Sequence, residues 1–222
     1  GNAAADSGYD RSPQLATDAS GNWVAVWYSN DDLEGTIGTD PDILIARSTD
    51  HGASWSMPAA LNTDAAANWS DFSPVVATDG AGMWLAVWTS NNGGMGDQDL
   101  AFARSTDNGS SWSAAAALNS NAATDSGSDF RPQVAADGAG GWLAVWYSTD
   151  DLGGTITTAI DVFVSRSTDN GGTWSAPEAL SAVAAADPKD DLDPQVATDR
   201  AGHWVAVWYS EDGLGGLASY DL

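Results

Sequence analysis

The chain has 222 residues, 31 acidic against 7 basic, and a formal net charge of −24 carried by 28 Asp, 3 Glu and one lysine, Lys189. Phosphate backbones repel so acidic a surface, which excludes nucleic-acid binding, and the absence of cysteine excludes disulfides, thiolate catalysis and cysteine-ligated zinc. No apolar run approaches the ~20 residues of a membrane span and no signal-peptide pattern is present, yet 43% hydrophobic residues, with 12 Trp, suffice to bury a core. The chain opens on Gly1 rather than Met, which predicts processing or trimming.

The chain repeats itself. The block from Pro13 to Trp27 recurs from Pro74, Pro132 and Pro194, about 60 residues apart each time. A second block, Arg47 to Trp55, recurs from Arg104 and Arg166 and has no fourth copy. The repeats fall at approximately 10–70, 71–128, 129–190 and an incomplete 191–222: three full units and a half. Each unit predicts four strands. Strand one starts at the proline, where no ladder N–H is needed, and runs to about Asp18. After a Gly-rich turn, strand two runs from Trp23 to Tyr28 and is apolar on both faces, as in a strand covered on both sides. Strand three runs from Asp42 to Arg47 and strand four from about Trp55 to Leu61. No helical period is sustained. The fold class is therefore all-β: propeller blades of four antiparallel strands, three full repeats plus a half. A parallel β-helix is the rival, with coils usually much shorter than this unit.

The second block carries a motif. Ser48-Thr49-Asp50-His51-Gly52-Ala53-Ser54-Trp55 reads Ser-x-Asp-x-Gly-x-x-Trp. So do Ser105, Asp107, Gly109 and Trp112, and Ser167, Asp169, Gly171 and Trp174, at the same place in their repeats. This is the Asp-box, and over nearly its whole length the chain resembles the Asp-box (BNR-repeat) propellers, best known from sialidases. The resemblance speaks to fold far more than to activity. Physically the motif is a turn: the carboxylate accepts from turn N–H groups, glycine permits φ > 0, and the indole buries area under the hairpin. Arg47, Arg104 and Arg166, just before each box, are expected in structural ion pairs or stacked on a neighbouring Trp. The strand-two tryptophans, spaced i and i+4, are expected in the core.

In a four-stranded blade, the loops from strand two to three share one rim with the blade-to-blade connections. Most acids fall there. The loops hold Asp31, Asp32, Asp40, Asp97, Asp150 and Asp151; the connections hold Asp6, Asp64, Asp125, Asp187, Asp190 and Asp193. Two positions recur per unit. One Asp stands three residues before the proline: Asp10, Asp71, Asp129 and Asp191. Another opens strand three: Asp42, Asp99, Asp161 and Asp221. Both are expected on the rim of the same blade. Crowded carboxylates without His or Cys predict calcium, held by Asp10, Asp42, Asp71, Asp99, Asp129 and Asp161 with Asp31, Asp32, Asp150 and Asp151. The bland alternative is a solvated acidic rim whose aspartates cap loops. A salt-adapted, extracellular origin is a further account of the acid.

The resemblance to sialidases implies an arginine cluster against the substrate carboxylate, an Asp acid/base and a Tyr nucleophile activated by Glu. Phe130-Arg131-Pro132 echoes the family's first arginine motif in shortened form, and Arg11 before Pro13 more faintly. Tyr28, Tyr147 and Tyr209 follow the repeat, as architecture does, and no catalytic residue is assigned. Arg131, Arg11 and the lone loop Trp69 are the candidate ligand contacts, Trp69 either stacking on a sugar or packing on a blade. The half repeat has an open edge, which predicts further blades of the same protein or other copies of the chain as partners, in an oligomer or a head-to-tail polymer. The reading is a non-catalytic extracellular or cell-surface module, structural or glycan-binding. The alternative is a glycoside hydrolase resembling an exo-sialidase, or a glycan-binding fragment of one.

Overall fold

The computed structural model describes residues 8–62, 65, 69–91, 97–181, 184–186, 188–214 and 217–221. Asp6, Asp64 and Asp187 lie outside the described residues, as do the side chains of Asp212 and Asp221. The first sheet joins β1 (Asp10–Thr17), β2 (Trp23–Ser29), β3 (Asp42–Ser48) and β4 (Ala59–Ala60) in sequence order. The second has β5 (Asp71–Thr78), β6 (Trp84–Ser90), β7 (Asp99–Ser105) and β8 (Ala116–Ala117). The third has β9 (Asp129–Ala136), β10 (Trp142–Ser148), β11 (Asp161–Ser167) and β12 (Glu178–Ala179). The fourth has three strands, β13 (Asp191–Thr198), β14 (Trp204–Leu214) and β15 (Leu217–Asp221). All pairings are antiparallel.

The blades stack because the central strands are two-faced. Trp84 and Trp88 on β6 pack back against Val24, Val26, Ile43 and Ile45 of the first blade. Leu85 and Val87, the alternating residues, pack forward against Trp142, Trp146 and Phe163 of the third. Each junction thus sets large indoles against branched aliphatics, and period-2 alternation sends the two sets to opposite faces.

Four expectations change. Strand one begins at the Asp, three residues before the proline. Ser12 and Pro13 together face Trp27 in a bulge, with register lost between Arg11 and Gln14. Proline offers no ladder N–H, so the strand steps over it, and the preceding residue takes φ of +48° at Ser12, +50° at Ser73, +47° at Arg131 and +51° at Asp193. Strand four shrinks to two residues. Ser56 Oγ accepts the Arg47 N–H (3.0 Å) while the Ser56 N–H donates to the Arg47 carbonyl (2.8 Å), so a side chain takes one of the two backbone bonds there; Ser113 and Ser175 do the same. Asp221 closes β15 instead of opening strand three: Trp208 pairs Asp221 and Leu214 pairs Leu217 in a hairpin that prolongs β14. That hairpin supplies partners for a ladder which a start at Asp221 would leave open.

The fourth correction concerns the arginines before the boxes. Arg47 Nε donates to the Asn108 carbonyl of the next blade (2.6 Å) and Arg47 Nη2 to Asn22 Oδ1 (3.2 Å), with no ion pair among the described residues. The reason lies in the box. Asp50 is saturated by Ser48 Oγ (2.7 Å), Ser54 N–H (2.8 Å) and Ser54 Oγ, while Ser48 Oγ accepts the Gly52 N–H (2.9 Å). Those bonds hold the carboxyl down at about 2; the same pattern gives about 2 at Asp107 and Asp169. These donors already satisfy much of the Asp50 charge, and no ion pair forms with the arginine among the described residues. Asn108, in the left-handed region at φ +60°, presents its carbonyl to it instead.

Candidate functional site

The acidic rim is assembled by the strand register. Asp10 pairs with Ser29 and Ser29 with Asp42, so both recurrent aspartates do lie at one end of the blade. They sit two strands apart, about 10 Å at ordinary sheet spacing. The close partners come from adjacent blades. The N–H of Asp71 donates to the carbonyl just before Asp42, that of Asp129 to the carbonyl before Asp99, and that of Asp191 to the carbonyl before Asp161, each at 2.7 Å. The pairing is therefore Asp42 with Asp71, Asp99 with Asp129, and Asp161 with Asp191. All six are buried, whereas Asp10 is exposed.

Neighbouring side chains orient these carboxylates. Asn62 Nδ2 donates to Asp42 Oδ1 (2.8 Å) and Asn119 Nδ2 to Asp99 Oδ1 (3.0 Å). Trp146 Nε1 donates to Asp129 Oδ1 (2.8 Å), and Trp27 Nε1 makes the same bond to Asp10 (3.0 Å). The loop aspartates act as turn caps. Asp31 accepts the Leu33 N–H, Asp150 the Leu152 N–H, and Asp151 the Gly154 N–H (2.9 Å). Asp32 receives the Thr36 and Ile37 N–H groups on its backbone carbonyl.

One junction is denser than the others. Between the second and third blades, Asp99, Asp125 and Asp129 bring carboxylate oxygens within 4.8 Å of one another. Asp97 stands two residues before Asp99, and Asn121 donates to both Asp125 (2.5 Å) and Asp150 (2.7 Å). Burial drives the Asp125 carboxyl up to about 7, and the charges of Asp99, Asp150 and Asp97 add to it. Burial also pushes Asp99 up, and Asp129 well above the usual carboxylate range. An open cleft of about 620 Å³, lined by Asn121, Asp125, Asp150 and Asp151, leads from solvent to this group.

Gly127 makes this geometry feasible. A Cβ there would come within 2.3 Å of the Asp150 backbone, so only glycine lets the connection lie against the loop. Ser128 and Thr149 zip the two segments together, Ser128 N–H to Thr149 Oγ1 at 2.8 Å and Thr149 N–H to the Ser128 carbonyl at 3.1 Å. Sequence reasoning placed Asp97 and Asp125 on the rim but not among the ligands, because it ranked positions that recur. The available signal was partial recurrence: Asp125 has alanine at residue 67 as its counterpart one repeat earlier and Asp187 one repeat later.

The two rim arginines do not converge. Arg131 ion-pairs with Asp193, which stands at the equivalent bulge of the next blade, while Arg11 lies over the Tyr9 ring, 4.7 Å from its centroid. Tyr147 stacks on Phe130 (5.3 Å between centroids), and Tyr28 sits edge-on to Phe72 (5.5 Å). Neither tyrosine hydrogen-bonds a glutamate among the described residues. Trp69 is exposed, 40% of its surface being accessible.

No family model and no curated protein sequence matches the chain. Solved structures do. The chain is similar to the Hadza microbial sialidase Hz136 (17% identity, TM-score 0.57, covering 96% of this chain and 46% of that one). It is similar also to the α-L-arabinanase of Penicillium chrysogenum (13%, TM-score 0.59, covering 94% and 63%) and to the GH93 α-L-arabinofuranosidase of Fusarium graminearum (14%, TM-score 0.62, covering 95% and 60%). The fold is an Asp-box β-propeller. With 46% to 63% of those chains covered, this propeller segment spans roughly half to two thirds of their length. Among the described residues no helix is long and apolar enough to cross a membrane.

Proposed function

We propose that this propeller is a non-catalytic extracellular module, structural or binding, that associates through its end faces with further Asp-box blades. The observation that carries the reading is the contrast between inner and outer faces. Val76, Val134 and Val196 each pack against the preceding blade. Leu15, their counterpart in the first blade, is 54% exposed. Likewise Trp112 and Trp174 pack back on a neighbour while Trp55 is 40% exposed. On the opposite face Val205 and Tyr209, forward-facing residues of β14, stand in the open. A large indole face at one end and a branched aliphatic face at the other are complementary, since they repeat the inner junctions. Such apolar patches mark association sites. The partner is another blade of this type, from the same protein or a second copy.

Two features support a non-catalytic reading. Arg131 is neutralised by Asp193, and the surrounding rim is acidic, a poor host for an anionic sugar. The acid-rich, lysine-poor composition supports an extracellular setting. Light scattering on the size-excluded protein tests the association between copies: species above 22.8 kDa that Leu15→Asp abolishes are expected, and a monomer at all concentrations overturns a second copy as the partner. The second reading is a glycoside hydrolase, favoured by the fold shared with structures named as a sialidase, an arabinanase and an arabinofuranosidase. Release of a fluorogenic sialoside or of arabinose, lost in Arg131→Ala, would establish it over the module.

A further inference from the structure

The junction between the second and third blades has a property that a solvated acidic rim lacks. Asp97 is 8% exposed, and both its carboxylate oxygens are closed to solvent with no donor among the described residues. Asp99 Oδ2, Asp125 Oδ1 and Asn121 Oδ1 are in the same condition. At the box end, by contrast, Asp50, Asp107 and Asp169 each receive several donors, and Asp18 takes the Ser20 and Asn22 N–H groups and the Asn22 amide; Asp40 at the first junction shares the orphaned state of Asp97 but has no cluster of close carboxylates around it among the described residues. Burying an ionised carboxylate without a partner costs several kcal/mol. Four carboxylates at one junction, with oxygens of three of them within 4.8 Å, multiply that cost. No arginine or lysine ion-pairs with any of them among the described residues.

We infer that Asp97, Asp99, Asp125 and Asp129, with Asn121 Oδ1, form a binding site for one calcium ion that pins the second blade to the third. The donor set is all oxygen, anionic and drawn from three separate segments, which suits the large, irregular shell of calcium better than the small octahedral shell of magnesium. The open cleft beside Asp125 and Asp150 is the entry path. Asn119 on Asp99 and Trp146 on Asp129 form the outer shell that fixes ligand orientation, and Asn121, through its Nδ2, holds Asp125 in place beside its own Oδ1. The site breaks the repeat. The first junction has Asp40, Asp42 and Asp71 but alanine at residue 67 where Asp125 would stand, and the third has Asp161, Asp187 and Asp191 but alanine at residue 159 where Asp97 would stand, so the full set of four occurs in the sequence only at the junction of the second and third blades.

Calorimetric titration of calcium into the chelator-stripped protein tests this. One ion per chain is expected, with a rise in Tm that magnesium does not reproduce. Asp125→Asn and Asp97→Asn should each weaken binding at least about tenfold while the far-ultraviolet spectrum stays that of the wild type. Asp10→Asn, the exposed counterpart of Asp129, should leave binding unchanged. Terbium in place of calcium should luminesce on tryptophan excitation, because the Trp146 indole touches Asp129, and Trp146→Phe should dim the emission without removing the calorimetric event. Absence of heat and of any Tm shift overturns the inference. So does binding that survives both Asp125→Asn and Asp97→Asn undiminished. Either result leaves the association through the end faces standing, since light scattering reads that separately.

Discussion

The two ends of each blade use aspartate in opposite ways. At the box end Asp50, Asp107 and Asp169 lie at the surface, gather hydroxyl and N–H donors, and are held at about 2. At the rim Asp99, Asp125 and Asp129 are withdrawn from water, crowd one another, and are pushed up, Asp125 to about 7. Residue type is constant; what differs is whether donors arrive before solvent is removed. The first arrangement is complete as it stands, whereas the second calls for a cation or protons.

The largest expected effect comes from breaking the complete end. Ser105→Ala removes the bond to Asp107 (2.7 Å) and the acceptor of the Gly109 N–H (2.9 Å), both at a buried hydroxyl. A loss of about 1–3 kcal/mol by urea unfolding is expected. The next effect separates the two ends by pH. For the boxes the folded value lies below the unfolded 3.8, so their stabilisation is present above that value and is lost as pH falls towards about 2. For Asp125 the folded value lies above 3.8, so its contribution is present at low pH and is lost as pH rises through about 7. Tm against pH in chelator should therefore fall on both flanks, and Asp125→Asn should flatten the upper flank alone. A profile level between pH 5 and 8 in chelator would break the comparison. The smallest effect is at the Arg131–Asp193 pair, whose side chains are 61% and 56% exposed; Arg131→Ala should cost about 0–1 kcal/mol.

Much of the fold was legible in the sequence because a repeat states its own period. Trp23, Trp84, Trp142 and Trp204 predict stacked blades, and three copies of Ser-x-Asp-x-Gly-x-x-Trp predict the hairpin turn whose bonds the structure supplies. Less was legible at the rim. That Asp99 meets Asp129 of the following blade, and not Asp71 of its own, follows from how two sheets stack, and no spacing within one repeat encodes it. The bulges at Ser12, Ser73, Arg131 and Asp193 were hidden for a similar reason: a residue before proline ordinarily stays extended, and here sheet pairing on both sides of the proline overrides that preference.

The sequence by itself determined a charge of −24, an all-β repeat and the rim on which most of that charge would fall, because composition and period are local properties of the chain. Only the tertiary structure decided which aspartates are buried together. Burial depends on what the neighbouring blade covers, and whether a carboxylate keeps its water is what turns a charged rim into one dense junction at Asp97, Asp99, Asp125 and Asp129.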